Sequence, residues 1–121
     1  DTGIGFAKTT AHNLALLAHL DDLVADGTPV VVGTSRKRML GVLAARSDAG
    51  LEPFVVDGDG GGGTAEPPPV DVSDRLAGSL STATWAMILG ARMVRVHDVG
   101  ATARVLGVVA AARAAQRQSG V

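Results

Sequence analysis

Pro29-Val30-Val31-Val32-Gly33-Thr34-Ser35-Arg36-Lys37-Arg38 is an apolar, β-branched run that closes on hydroxyl and cationic side chains. Val30 to Gly33 is short and wholly apolar, the pattern of a parallel strand covered on both faces. A second stretch, Met93-Val94-Arg95-Val96-His97-Asp98, repeats the design. Its alternation puts Val94 and Val96 on one side and Arg95 and His97 on the other. In parallel α/β architectures the C-terminal strand ends form the edge where ligands bind. These two tips and the opening Asp1-Thr2-Gly3-Ile4-Gly5-Phe6 are therefore expected to form one site for an anion and a heterocycle.

Between the tips the chain reads as helices. One is expected from about Thr9, with Thr9 or Thr10 as N-cap and an apolar face of Leu16, Leu17, Leu20, Leu23 and Val24. Asp26-Gly27 ends it, and Pro29 bars its continuation. Arg36 to Ala45 can form a short helix or turn. A further helix is expected from Ser73 or Asp74 to Leu89, buried along Leu76, Leu80, Ala83 and Met87 and ended by Gly90. A last one runs from Ala101 to Gln116 with Val105, Val108, Val109 and Ala112 inward. Residues 48–72 contain Gly60 to Gly63, Pro67 to Pro69 and several acids. So long an aperiodic segment reads as a disordered, mobile loop, with a lid over the site as the rarer alternative. The order loop–α–β–α–β–α is the back end of a repeating β/α unit.

A chain of 121 residues with net charge −1 is one domain at most and lacks the cationic excess of nucleic-acid or membrane-surface binders. The absence of cysteine excludes disulfides, thiolate catalysis and Cys-based zinc sites, and fits a reducing, cytoplasmic setting. No long apolar run suggests a membrane span. The chain opens on Asp1 in a Gly-rich loop with no strand before it, so it is expected to be the C-terminal portion of something longer.

Arg95 and His97 stand about 6.8 Å apart on one strand face. Two donors at that spacing suit a phosphate or pyrophosphate, which Arg can grip with its planar fork. The plain alternative is that Arg95 pairs with Asp98 or another acid at a sheet edge. Ser35, Arg36, Lys37 and Arg38 are most simply a solvated basic turn, although a lysine at a strand tip can donate to a ring carbonyl. Asp1 is either a turn aspartate or, ionised, a bidentate acceptor for the amino and ring N–H groups of a guanine-like heterocycle. His12 and His19, seven apart on a helix, belong to solvent or core.

Taken together, four blocks resemble the dihydropteroate synthases of folate biosynthesis, in the same order and at compatible spacing. They are Asp1-Thr2-Gly3-Ile4-Gly5-Phe6-Ala7-Lys8 with His12-Asn13, then Gly33-Thr34-Ser35-Arg36-Lys37-Arg38. Asp74-Arg75-Leu76-Ala77-Gly78-Ser79-Leu80 and Arg95-Val96-His97-Asp98-Val99 complete the set. The family departs from this chain at Thr2, where it usually carries Pro.

The resemblance implies the C-terminal portion, about the last three β/α units, of a (β/α)8 TIM barrel. It implies condensation of p-aminobenzoate with 6-hydroxymethyl-7,8-dihydropterin pyrophosphate, releasing pyrophosphate, with magnesium as cofactor. By resemblance Asp1 and Lys37 hold the pterin, and Gly5, Phe6 and Ser35 line the p-aminobenzoate site where sulfonamides compete. Arg95 and His97 hold the pyrophosphate, and Lys37, Arg95 and His97 carry the catalytic roles. No metal ligand is expected within this segment; the family's metal-site Asn lies outside it. The resemblance implies small-molecule substrates and a possible homodimer. A non-catalytic paralogue that keeps the fold and a ligand pocket is the second reading, and a phosphate-binding module of another β/α barrel the third. Alone, so partial a barrel is expected to be marginally stable and inactive.

Overall fold

The computed structural model describes residues 1–51 and 67–120. The glycine run Gly60 to Gly63, and with it most of the segment expected to be a loop, lies outside the described residues. Two parallel strands, β1 (Val31–Val32) and β2 (Met93–Val94), pair Val31 with Met93 and Val32 with Val94. Around them pack α1 (Thr10–Ala18), α2 (Leu20–Ala25), α3 (Arg38–Asp48), α4 (Leu76–Ile88) and α5 (Val99–Gln118). A single 3-10 turn, Val72–Asp74, leads into α4. Parallel strands require crossovers, and α3 and α4 supply the one between β1 and β2.

The strands are shorter than their apolar runs. The ladder reaches one bond further, from Arg95 N to Val32 O at 2.8 Å, and then stops, because β1 has by then turned into Gly33 and Thr34. With no partner left, Val96 and His97 leave the strand path.

The first helix is two. Thr9 caps α1, accepting from the His12 N–H at 3.2 Å, but the chain breaks at His19 (φ −108°, ψ 25°) and restarts as α2. No glycine or proline signals that break. Asp21 and Asp22 do suit it, because carboxylates are favoured in a helix's first turn. The restart drives Leu20 fully into the core and leaves Leu23 exposed, against the single apolar face expected. His12 and His19 are exposed.

The core is small. Ile4, Leu20, Val32 and Val42 are its largest fully buried side chains, with Leu17, Met39 and Leu40 around them. Ile4 carries the opening loop into it. Trp85 on α4 donates Nε1–H to Leu17 O at 2.8 Å, satisfying a carbonyl in the last turn of α1 that has no partner within that helix.

Two buried stripes differ from expectation. On α4 the buried residues are Ser79, Ala83 and Ala86, whereas Leu76 is exposed and Leu80 and Met87 are half-buried. Small side chains face inward because the neighbours come close; a Cβ on Gly78 would sit 3.2 Å from Leu40 Cβ. On α5 only Thr102 is buried; Val105 and Val109 are half-buried, and Val108 and Ala112 are exposed. That helix lies chiefly against α4, so it covers a narrow strip.

Candidate functional site

The opening loop is shaped by its glycines and held by its neighbours. Gly3 (φ 67°) and Gly5 (φ 83°) occupy the left-handed region, where a side chain is strained. Asp1 Oδ1 accepts the Gly3 N–H at 2.7 Å, closing a tight turn. Buried Asn13 on α1 accepts the Gly5 N–H at 3.0 Å, and Lys8 Nζ donates to the carbonyls of Gly3 and Phe6. Neither Asn13 nor Lys8 had a role in the sequence reading. Asn13 could have been found, since it shares a helix face with Leu17 and Leu20, and an amide on a buried face needs a partner.

The turn after β1 is held still more tightly. Lys37 N–H donates to Thr34 O at 3.1 Å, which folds the turn back on itself. Thr34 Oγ1 lies 2.7 Å from Thr82 Oγ1 on α4. Arg36 has φ 59°, a conformation that L side chains rarely adopt. Its N–H donates to Ser79 Oγ at 3.0 Å, and its carbonyl accepts from Arg75 Nη1 at 3.0 Å. Its guanidinium grips Asp98 at the head of α5 at 3.1 and 3.4 Å. Arg36 is thereby turned to structural work, and its flanking residues are the ones presented.

Those flanking residues meet the β2 tip and the opening loop around one cavity of about 400 Å³. Asp1, Phe6, Ser35, Lys37, Arg95 and His97 all line it, with Ile4, Gly33 and Val96 completing the walls. Lys37 Nζ lies 4.3 Å from the centroid of the Phe6 ring, a cation–π contact at the cavity wall. Ser35 Oγ accepts the His97 N–H at 3.1 Å and sits 2.8 Å from His97 Nδ1, tying the two strand tips together. Ser35 is buried and its hydroxyl is paired with His97 Nδ1, so Nε2 is the ring nitrogen of His97 left outside that pair.

Asp98 pairs with Arg36, so the plain reading of Arg95 as its ion-pair partner does not hold. Among the described residues no carboxylate pairs with Arg95, which lines the cavity. Val96 lines the cavity as well, which strict alternation does not predict; it follows from the chain leaving the strand path after Arg95. Gly5 is displaced from the expected set. It lines the adjoining hollow with Lys8, Asn13 and Arg38 and touches the main cavity through Lys37, whose Cδ would lie 2.8 Å from a Cβ at position 5.

A cavity of this size takes a bicyclic ring system. One acidic side chain and several donors and cations around it suit a polar, flat heterocycle joined to an anionic group. Among the described residues no three of His, Asp and Glu gather where they could hold a metal ion. No step below runs through a metal. No helix among the described residues is long and apolar enough to cross a membrane.

Known proteins are similar to this chain in sequence and fold. The chain is 41% identical over 111 residues to the dihydropteroate synthase of Mycobacterium leprae, an alignment covering 92% of this chain and 33% of that protein. It is 37% identical over 110 residues to the inactive dihydropteroate synthase 2 of Mycobacterium tuberculosis, covering 91% of this chain and 27% of that one. The fold superposes with a TM-score of 0.71 on the Xanthomonas albilineans dihydropteroate synthase in complex with 7,8-dihydropteroate. That match has 38% identity and covers 93% of this chain and 34% of that one. The chain spans about a third of the length of these relatives, and its fold is the expected portion of a (β/α)8 barrel. The family profile for pterin binding enzymes matches residues 1–97, and with the cavity built from that same stretch the chain belongs to the pterin binding enzyme family.

Proposed function

We propose that this chain supplies the Asp1, Lys37, Arg95 and His97 contacts of a dihydropteroate synthase active site. The observation that carries the reading is that all four line one cavity although they come from three separate segments. Relatives named dihydropteroate synthase, one solved with 7,8-dihydropteroate, support it.

In this reading Asp1 accepts the amino and ring N–H groups of the dihydropterin, and Lys37 donates to its ring carbonyl. Arg95 and His97, through Nε2, hold the pyrophosphate. The bond between the pterin methylene carbon and the bridging oxygen breaks, its electron pair leaving with pyrophosphate. Arg95 and His97 stabilise the charge that develops on that leaving group. The aniline nitrogen of p-aminobenzoate then attacks the cationic methylene and sheds a proton. Phe6 and Ser35 line the p-aminobenzoate side, where sulfonamides compete. The working protein is a cytoplasmic homodimer, with magnesium held by groups other than the described residues.

The test is pyrophosphate release by the full-length protein. Release that requires both 6-hydroxymethyl-7,8-dihydropterin pyrophosphate and p-aminobenzoate is the expected result. No turnover, with the dihydropterin still bound, leaves instead a non-catalytic paralogue, a reading favoured by the similarity to the inactive synthase of M. tuberculosis. No binding of the dihydropterin at all rejects both.

A further inference from the structure

We propose that Arg75, the N-cap of α4, and Ser79, four residues on within that helix, are positioning residues that hold Arg36 in its left-handed conformation and so place Ser35 and Lys37 on the cavity wall. The inference rests on the functional reading above for its ligand, and on geometry alone for the turn.

Arg36 stands between two residues that line the cavity but does not line it itself. A turn with a positive φ at a residue other than glycine persists only where its surroundings over-determine it. Here both backbone groups of Arg36 are held, its N–H by Ser79 Oγ and its carbonyl by Arg75 Nη1, each at 3.0 Å. Ser79 is buried, and its own hydroxyl donates to Arg75 O at 2.9 Å, so its lone pair is aimed at Arg36. Arg75 is fixed in turn by Val70 O, which accepts from Nε at 3.1 Å and from Nη2 at 2.9 Å. Gly41 makes room for this, because a Cβ there would sit 2.7 Å from Arg75 Nε. Thr82, one turn beyond Ser79, extends the same stripe to Thr34. The stripe is the side of α4 that faces the turn, and none of its members lines the cavity.

Ser79→Ala isolates the effect, since alanine is the best helix former and leaves α4 intact. In the full-length protein, hydrogen exchange at the Arg36 amide should quicken by about tenfold, while exchange at Ala83 and Ala86 stays unchanged. Affinity for 6-hydroxymethyl-7,8-dihydropterin pyrophosphate, measured by calorimetry, should fall by about tenfold as well. In an Arg36→Gly background, where the left-handed conformation is free of side-chain strain, the same substitution should cost only about twofold in affinity. Equal affinity losses in both backgrounds, or unchanged exchange at Arg36, overturn the proposal. If the parent protein does not bind the dihydropterin, the functional reading fails, and the exchange measurement still decides whether α4 holds the turn.

Discussion

Lys37 is placed by three contacts that a linear reading cannot see together: the turn bond to Thr34 O, the Phe6 ring under its ammonium, and the backbone of Gly5 against its stem. Its partner across the cavity, Arg95, is set by a ladder bond to Val32 O and has no acid of its own among the described residues. In the proposed function the two cations answer to different parts of one ligand. Lys37→Ala should weaken dihydropterin binding by about ten- to a hundredfold and pyrophosphate binding much less, with Arg95→Ala the reverse. Calorimetric titrations of each ligand on each variant check the crossover; equal losses in both would contradict the assignment. Gly5→Ala tests the loop: at φ 83° a side chain should cost about 1–2 kcal/mol, and its Cβ would push Lys37 off Phe6. Urea unfolding should show the first effect and dihydropterin titration the second. At this scale the sequence was informative about charged residues at strand tips, because alternation and strand ends are local. It was silent on Arg36, whose φ is decided by α4 some forty residues on.

Helices were found where caps and breakers stood, and their inner faces only in part: Leu17, Leu20 and Ala83 are buried as expected, Leu23 and Leu76 are not. Gly27, Gly50 and Gly90 close helices by adopting positive φ, as their positions suggested for Gly27 and Gly90. On α4, however, apolar periodicity selected Leu76 and Leu80, whereas the buried face is Ser79, Ala83 and Ala86. Periodicity reports where apolar side chains fall, and this helix buries small and hydroxylated ones because it must reach the backbone of the 34–37 turn. The same helix is tied to α1 by Trp85, whose ring is largely exposed while its N–H is bonded to Leu17 O. Trp85→Phe keeps most of the ring and loses that bond. It should lower stability by about 1 kcal/mol in denaturant titration, with ligand affinity unchanged. A loss of affinity without a loss of stability would mean that the bond serves the site instead.

Among the described residues the two-stranded sheet has an unpaired edge on each side, and edges of that kind invite further pairing. Large apolar side chains are exposed over the same body, among them Met93, Val99 and Val108 at 60% or more, and a hollow of about 600 Å³ beside α1 and α2 is lined by Ala15, Leu16 and Leu23 together with Lys8, His12, His19 and Asp22. Against this, four large side chains are fully buried among the described residues, with Leu17, Met39 and Leu40 nearly so. A core that small contributes little beyond the conformational entropy lost on folding. The 121-residue chain on its own should therefore associate in a concentration-dependent way and bind a hydrophobic dye. In sedimentation velocity between roughly 5 and 100 µM, the weight-average coefficient should rise steadily. A sharp monomer over that whole range, with no dye binding and a cooperative thermal transition, would show that these edges and faces are self-sufficient. The site would then be a property of this chain alone, and dihydropterin should bind it directly. If the chain associates, binding should instead require the strands and helices that cover those edges, because Arg95 and Lys37 are fixed by a sheet that two strands hold only weakly.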